Sequence, residues 1–291
     1  MIQQRKDPHL AARHLKSKLF KWACASTVVL ALFILCVLMV QVSLDGIKWL
    51  DMQFITSFPS RFPEKAGIWS AFVGTLYLIS LIAAISIPLG VSAALYLEEY
   101  ASPGRLNRFI ELNINNLAGV PSIVYGILGL AIFVRAFQFD RSLLAGALTM
   151  SLLILPVIII ASREAIKQVP SSVRHAAYAL GATRWQAVRS HVLPASFSGI
   201  LTGVILALSR AIGETAPLVM IGALTYVAFL PESINDAFTA LPIQIFNWAS
   251  RPQAEFHELA SAAIIILLAA LLCLNGIAIY IRHRSDRKQI R

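Results

Sequence analysis

Charge is what this 291-residue chain has least of: Asp, Glu, Lys and Arg together make up 14% of it. Soluble domains carry roughly 25%, so a pair of soluble domains is excluded. Only three cysteines are present, too few for a secreted disulfide scaffold or a four-ligand zinc site. Cys24, Cys36 and Cys273 have no His or carboxylate at ligand spacing and read as small hydrophobes. No Gly is followed directly by Lys, so a Walker A loop is missing, and no HExxH occurs. A catalytic role for this chain is therefore not expected.

What is present is hydrocarbon. Apolar residues make up 57% of the chain, and its mean hydropathy is +0.71. A membrane-crossing helix needs about 20 apolar residues to span about 30 Å. Six stretches meet that requirement: 22–42, 68–97, 116–134, 142–162, 197–230 and 259–281. The expected fold is an all-α polytopic membrane protein of six transmembrane helices. The second and fifth stretches exceed one crossing and contain Pro88 and Pro217, so each is expected to be tilted or broken, or to run into a surface helix. The first is too long for a signal-peptide core, and no clear small-x-small cleavage pattern follows it; it is expected to stay in the mature chain.

Basic residues set the orientation. Of 25 Lys and Arg, 18 fall in the N-terminal tail, the segments after stretches two and four, and the C-terminal tail. Six fall on the other side, and Arg210 lies inside the fifth stretch. The positive-inside rule then puts both termini in the cytoplasm. Segment 231–258 is the longest on the opposite side. Its acids Glu232, Asp236, Glu255 and Glu258 outnumber its single Arg. It reads as a partly ordered solvent-side loop, or else as a docking surface for an external partner.

The connector 163–196 carries more information. Ser171 or Ser172 can cap a short helix containing Val173, Ala177 and Leu180. Gly181 ends it. Thr183 with Gln186 three residues on is a capping-box pattern for a second helix, with Pro194 closing it. Such an angular pair can lie on the lipid surface. It can also form a knob for a cytoplasmic protein, since Ala176, Ala177, Ala179 and Gly181 permit close approach.

Arg210 and Glu214 are the charges that need an account. A charge near the bilayer centre costs about 2.5–3.5 kcal/mol on insertion scales. Four residues apart on a helix, the two can pair. Either they form a structural bridge, or Arg210 faces a pathway and meets an oxyanion while Glu214 steadies it. Ser209 and Thr215 are weaker candidate donors. Pro88, Gly90, Gly119, Pro121, Gly126 and Gly129 suit close helix packing or gating hinges. Tyr125 suits a core, an interface or a pathway wall.

The connector resembles the coupling motif of ABC-importer permeases, EAA-x3-G-x9-I-x-LP. It stands here as His175-Ala176-Ala177, then Gly181, then HVLP ending in Leu193 and Pro194. His175 replaces the usual Glu, and His191 an apolar residue. Further stretches are LAGVPSIVYG at 117–126, ALSRAIGETAPL at 207–218, FNWASRP at 246–252 and GTL at 74–76. With them the chain resembles, from residue 20 onward, the PstA-type permease subunits of phosphate importers. The resemblance implies a tail (1–21), a first helix with a periplasmic loop (22–67), a permease core (68–281) with its two-helix coupling connector (163–196), and a second tail (282–291). It implies a PstC-type permease partner, two copies of a PstB-type ATPase that bind ATP and Mg2+, a PstS-type periplasmic binding protein and phosphate as cargo in the inner membrane. It implies no nucleic acid and no cofactor in this chain. Permeation of another oxyanion, molybdate or sulfate, and a non-transporting scaffold or sensory role are the competing readings.

Overall fold

The structure, a computed structural model, describes residues 8–102, 104–223 and 226–289, with side chains from 13 to 284. Arg5 and Lys6 of the basic tail, residues 224–225 of the fifth stretch and Arg291 lie outside the described residues. Among the described residues, every element longer than the single bridge between Ser142 and Ala237 is helical. In chain order they are α1 (Pro8–Gly46), α2 (Met52–Thr56), α3 (Trp69–Leu95), α4 (Arg105–Ala118), α5 (Ser122–Gly129), α6 (Leu143–Lys167), α7 (Ser171–Ala179), α8 (Arg184–Ala187), α9 (Leu193–Gly213), α10 (Ala216–Ile221), α11 (Leu241–Ala249) and α12 (Ala254–Gln289).

Among the described residues, five helical runs are long and apolar enough to cross a bilayer. A sixth crossing exists only if a bent pair, 105–118 with 122–136, counts as one. The third stretch, expected as a span over 116–134, is therefore not one continuous helix. Its axis turns by 103° at residues 119–121, and α4 already occupies what was expected to be a loop. Pro121 is the cause: it has no N–H for the carbonyl four residues back, and it disfavours a helical conformation at Val120. That carbonyl, on Leu117, instead accepts from the Val120 N–H at 3.1 Å and from the Tyr125 hydroxyl at 2.8 Å. Tyr125 is buried, and its role here is to satisfy the break. Pro88 and Pro156, by contrast, lie inside unbroken helices.

The fifth stretch is broken as well. α9 stops at Gly213, Glu214 is extended (φ −83°, ψ 117°), and α10 ends on Gly222. At its other end, α9 continues back without interruption through a π turn at Val188–Val192 to Arg184. Pro194 thus sits inside one 30-residue helix and does not close a separate one.

α6 is the hub. It packs against α3, α9, α5 and α4, while α12 lies on α9, α11 and the far end of α1. The main apolar core gathers Leu78 and Ile82 of α3, Met150, Ile154 and Ile158 of α6, Val204 of α9 and Phe238. Most of α1 has no protein neighbour to cover it, and none of its most apolar window is buried, as suits a helix whose solvent is lipid.

Salt bridges collect residues 98–111 and 163–174 at one end of the bundle, called here the basic end. The opposite end is capped by segment 231–258, which is not the partly ordered loop expected. The backbone N–H groups of Leu143 and Leu144 donate to Asp236 and Ile234, and Leu241 N–H donates to the buried Thr75 hydroxyl at 2.9 Å. Phe238, Trp248 and Phe256 are buried, and Phe54 packs on Trp248 with ring centroids 6.0 Å apart.

Candidate functional site

The connector forms a sharp elbow from local forces alone. α7 ends with the Ala182 N–H donating to Ala177 O (3.0 Å) and the Gly181 N–H to Tyr178 O (2.9 Å), the paired bonds of a Schellman motif. That motif puts Gly181 at φ +83°, where a side chain is strained by the backbone. The capping box then starts α8 as expected. The Gln186 N–H donates to the Thr183 hydroxyl, and the Thr183 N–H donates to Gln186 Oε1 at 2.8 Å.

The start of α7 differs from expectation. Its N-cap is Pro170, and neither Ser171 nor Ser172 caps it. Position 175 is consequently two residues beyond the third helical position, so a Glu there could not close a capping box. His175 and Ala176 are exposed, Ala177 is buried, and Leu193 is half-buried with Pro194 exposed farther along the helix. The elbow's tip is bare hydrocarbon: Leu180 is 90% exposed, Trp185 56% and Tyr178 39%. α7 itself buries only Ala177, too little apolar area to hold its angle.

A guanidinium supplies the missing attachment. Arg174 donates from Nη2 and Nε to Glu99 Oε1 at 2.6 and 2.9 Å, and from Nε to Oε2 at 3.2 Å. Its remaining donors reach Val169 O (2.7 Å), just past the end of α6, and Ile166 O (3.1 Å), which also accepts from the Val169 N–H at 3.2 Å. The hydrogen bond to Glu99 raises the Arg174 pKa above its usual value. Next to it, Arg163 donates to Glu111 at 2.9 Å and lies 3.6 Å from Glu98. Glu98 and Glu99 lie in the π turn Tyr96–Tyr100 that continues α3, where successive side chains point to different sides, so the two can serve two different arginines. Sequence reasoning missed these carboxylates. The available signal was an acidic pair just past an apolar stretch, at an otherwise basic end.

The second candidate place is about 39 Å farther along the same helix, counting 1.5 Å per residue from Arg184 to Arg210. Arg210 lies in the last turn of α9 and is exposed, while Glu214 is half-exposed. The helical pairing expected between them is absent: no ion pair joins them among the described residues. α9 has already ended at Gly213, because Pro217 cannot donate to that carbonyl, so the two no longer share a helix face. Ser209 is not free for cargo either, as its hydroxyl donates to Asn275 Oδ1 at 2.6 Å and ties α9 to α12. Thr215 precedes α10 and makes no capping bond. Gly90, Gly126 and Gly129 each sit where a Cβ would meet a neighbouring helix, which favours the packing reading for them.

A multi-pass bundle around one central helix, with an exposed elbow leading straight into a crossing helix, is the architecture of a polytopic helical membrane protein. Solved structures carry the same fold. A chain of a bacterial alginate ABC transporter superposes at TM-score 0.68 over 94% of this chain and 96% of its own, at 17% identity. A chain of the MetNI methionine ABC transporter does so at 0.58 over 75% and 94%, at 18% identity. The chain belongs to the family of binding-protein-dependent transport system inner membrane components, whose family model matches residues 86–287. Among its relatives is the phosphate transport system permease protein PstA of Haemophilus influenzae, 32% identical over 252 residues, 86% of this chain and 87% of that one. PstA of Yersinia pestis is 32% identical over 269 residues (92% and 90%). The probable ABC transporter permease protein YqgI of Bacillus subtilis is 33% identical over 204 (70% and 69%). The protein is thus a multi-pass inner-membrane permease component of a multi-subunit transport system, and not its ATPase.

Proposed function

We propose that this chain is one half of the membrane pathway of an ATP-driven phosphate importer. A PstC-type permease supplies the other half, two PstB-type ATPase copies the energy, and a PstS-type periplasmic protein the cargo. The relatives named as phosphate permeases match it along most of its length, and the chemistry of one residue agrees with them. Arg210 is the observation that carries the reading. Arg282, at the basic end of α12, donates to Thr202 at 3.2 Å, and eight residues of helix put Arg210 about 12 Å deeper. At that depth an arginine facing lipid costs about 2.5–3.5 kcal/mol or more. An exposed, unbridged Arg210 is therefore covered by the partner permease or by a water-filled path between the two. A guanidinium there lowers the barrier for a dianion and offers paired donors to two of its oxygens. Glu214, off the helix and half-exposed, limits how tightly an anion is held, as a site that must release its ion requires.

In this reading there are six spans with the bent pair crossing once, since both basic termini share the cytoplasmic side only if the number of crossings is even. The coupling connector 163–196 inserts its elbow at Gly181 into an ATPase cleft, with His175, Ala176 and Ala177 on one arm and Leu193 and Pro194 on the other. Closure of the ATPase dimer then moves α9 directly. Arg210→Gln removes the charge and the guanidinium fork and leaves a neutral polar side chain two atoms shorter. Phosphate uptake normalised to assembled complex should fall strongly in that variant, while Arg210→Lys retains part of it. Uptake equal to the parent's would leave Arg210 a structural role only, and preferred uptake of sulfate or molybdate would reassign the cargo.

A further inference from the structure

Two arms leave the elbow, and they are attached to the bundle in different ways. α8 is continuous with α9 from Arg184 to Gly213, so any displacement of that arm is carried by helix hydrogen bonds. The α7 arm has no such continuity. It joins α6 through the Gln168–Pro170 turn, and it buries Ala177 with Val173 half-buried. The firm contact is Arg174, which grips the Glu99 carboxylate in the π turn that continues α3, Ile166 O in the last turn of α6 and Val169 O just past it. Both partners are largely shielded from water, Glu99 at 6% exposure and Arg174 at 18%. Shielding strengthens a charge-assisted fork of this kind and makes an unpaired member costly.

We infer that Arg174 and Glu99 form the mechanical link by which the α7 arm drives the inner ends of α3 and α6, so that these helices move in step with α9. They are positioning residues: neither touches cargo or nucleotide. The inference rests on the importer reading above. With the link intact, a push on the elbow reaches α9 through its backbone and the α3–α6 pair through one guanidinium. With the link cut, α9 still follows the ATPase, but α3 and α6 lag, and hydrolysis proceeds without a full opening of the path. The exposed faces of the elbow (Tyr178, Leu180 and Trp185) are untouched by such a cut, so docking and hydrolysis persist.

The test uses the complete complex with its binding protein in proteoliposomes, reading phosphate accumulated per ATP hydrolysed. Glu99→Gln is expected to lower that ratio about tenfold, within the usual range of coupling effects, with hydrolysis retained. Arg174→Lys should give an intermediate ratio, because it restores charge without the fork. Glu111→Gln cuts the neighbouring tie between α4 and α6, which does not involve α7, and should keep the parent ratio. For the case of poor assembly, a cysteine-free background carrying Glu99→Cys and Arg174→Cys provides the second arm. Joining the two thiols with a short bifunctional reagent should restore the ratio that is low before cross-linking. A parent ratio in Glu99→Gln, an equal fall in Glu111→Gln, or no recovery on cross-linking overturns the link. A parent complex that hydrolyses ATP yet imports no phosphate overturns the importer reading and, with it, the link.

Discussion

Adding one methyl group at either of two helical glycines should move stability in opposite directions. Gly126 lies in α5 where α10 crosses it. A Cβ there would stand 2.7 Å from Met220 Cβ, 2.8 Å from Pro217 Cα and 3.0 Å from Pro217 O. Carbon pairs prefer about 3.5–4.0 Å, so α10 would have to retreat by roughly 1 Å. The obstructing atoms are backbone or Cβ and cannot swing aside. Overpacking of this kind costs about 1–3 kcal/mol, against a gain of about 0.5–1 kcal/mol for Ala over Gly in a helix. The two ranges combine to a net loss of up to about 2.5 kcal/mol, centred near about 1 kcal/mol. Gly276 of α12 has no atom within 4 Å of the same added methyl, so only the gain applies. At about 2–4 °C per kcal/mol for a chain of this size, Gly126→Ala should lower the apparent unfolding temperature of the detergent-solubilised complex by about 2–4 °C, and by no more than about 10 °C. Gly276→Ala should raise it by about 1–4 °C on the same scale. Equal shifts of the same sign would refute the α5–α10 contact. α10 follows two residues after the end of α9, so Gly126→Ala should also depress transport through the position of Arg210 and Glu214.

Gly181→Asn should be tolerated at the elbow, whereas Gly181→Leu should cost about 1–2 kcal/mol of backbone strain and lower ATPase stimulation by the assembled permease. Unchanged stimulation with Leu would remove the elbow from the docking contact. For topology, single cysteines replacing Arg184 and Glu232, with Cys24, Cys36 and Cys273 substituted, should be labelled from opposite sides of the membrane. Labelling of both from outside would overturn the orientation.

Local features of the site were legible in the chain, because their partners lie within a few residues. The capping box of Thr183 and Gln186 and the terminating Gly181 need only helix geometry, and the structure has both. Proline was read less well. Pro88, Pro156 and Pro194 ride inside helices, whereas Pro121 and Pro217 sit at breaks, although all five remove the same backbone donor. The outcome depends on whether another part of the fold can take up the freed carbonyl and hold the bend, as Tyr125 does for Leu117.

The sequence by itself determined that this is a helical membrane protein and where its connector turns. Those properties follow from composition, length and contacts between near neighbours. Tertiary structure alone decided that Arg210 and Glu214 part company, that segment 231–258 is a packed cap, and that Arg174 finds Glu99 across 75 residues. In a chain that meets both lipid and its own core with hydrocarbon, apolar periodicity does not mark which face of a helix turns inward. The polar groups that must find partners in the interior settle that, and they do so only when distant segments meet.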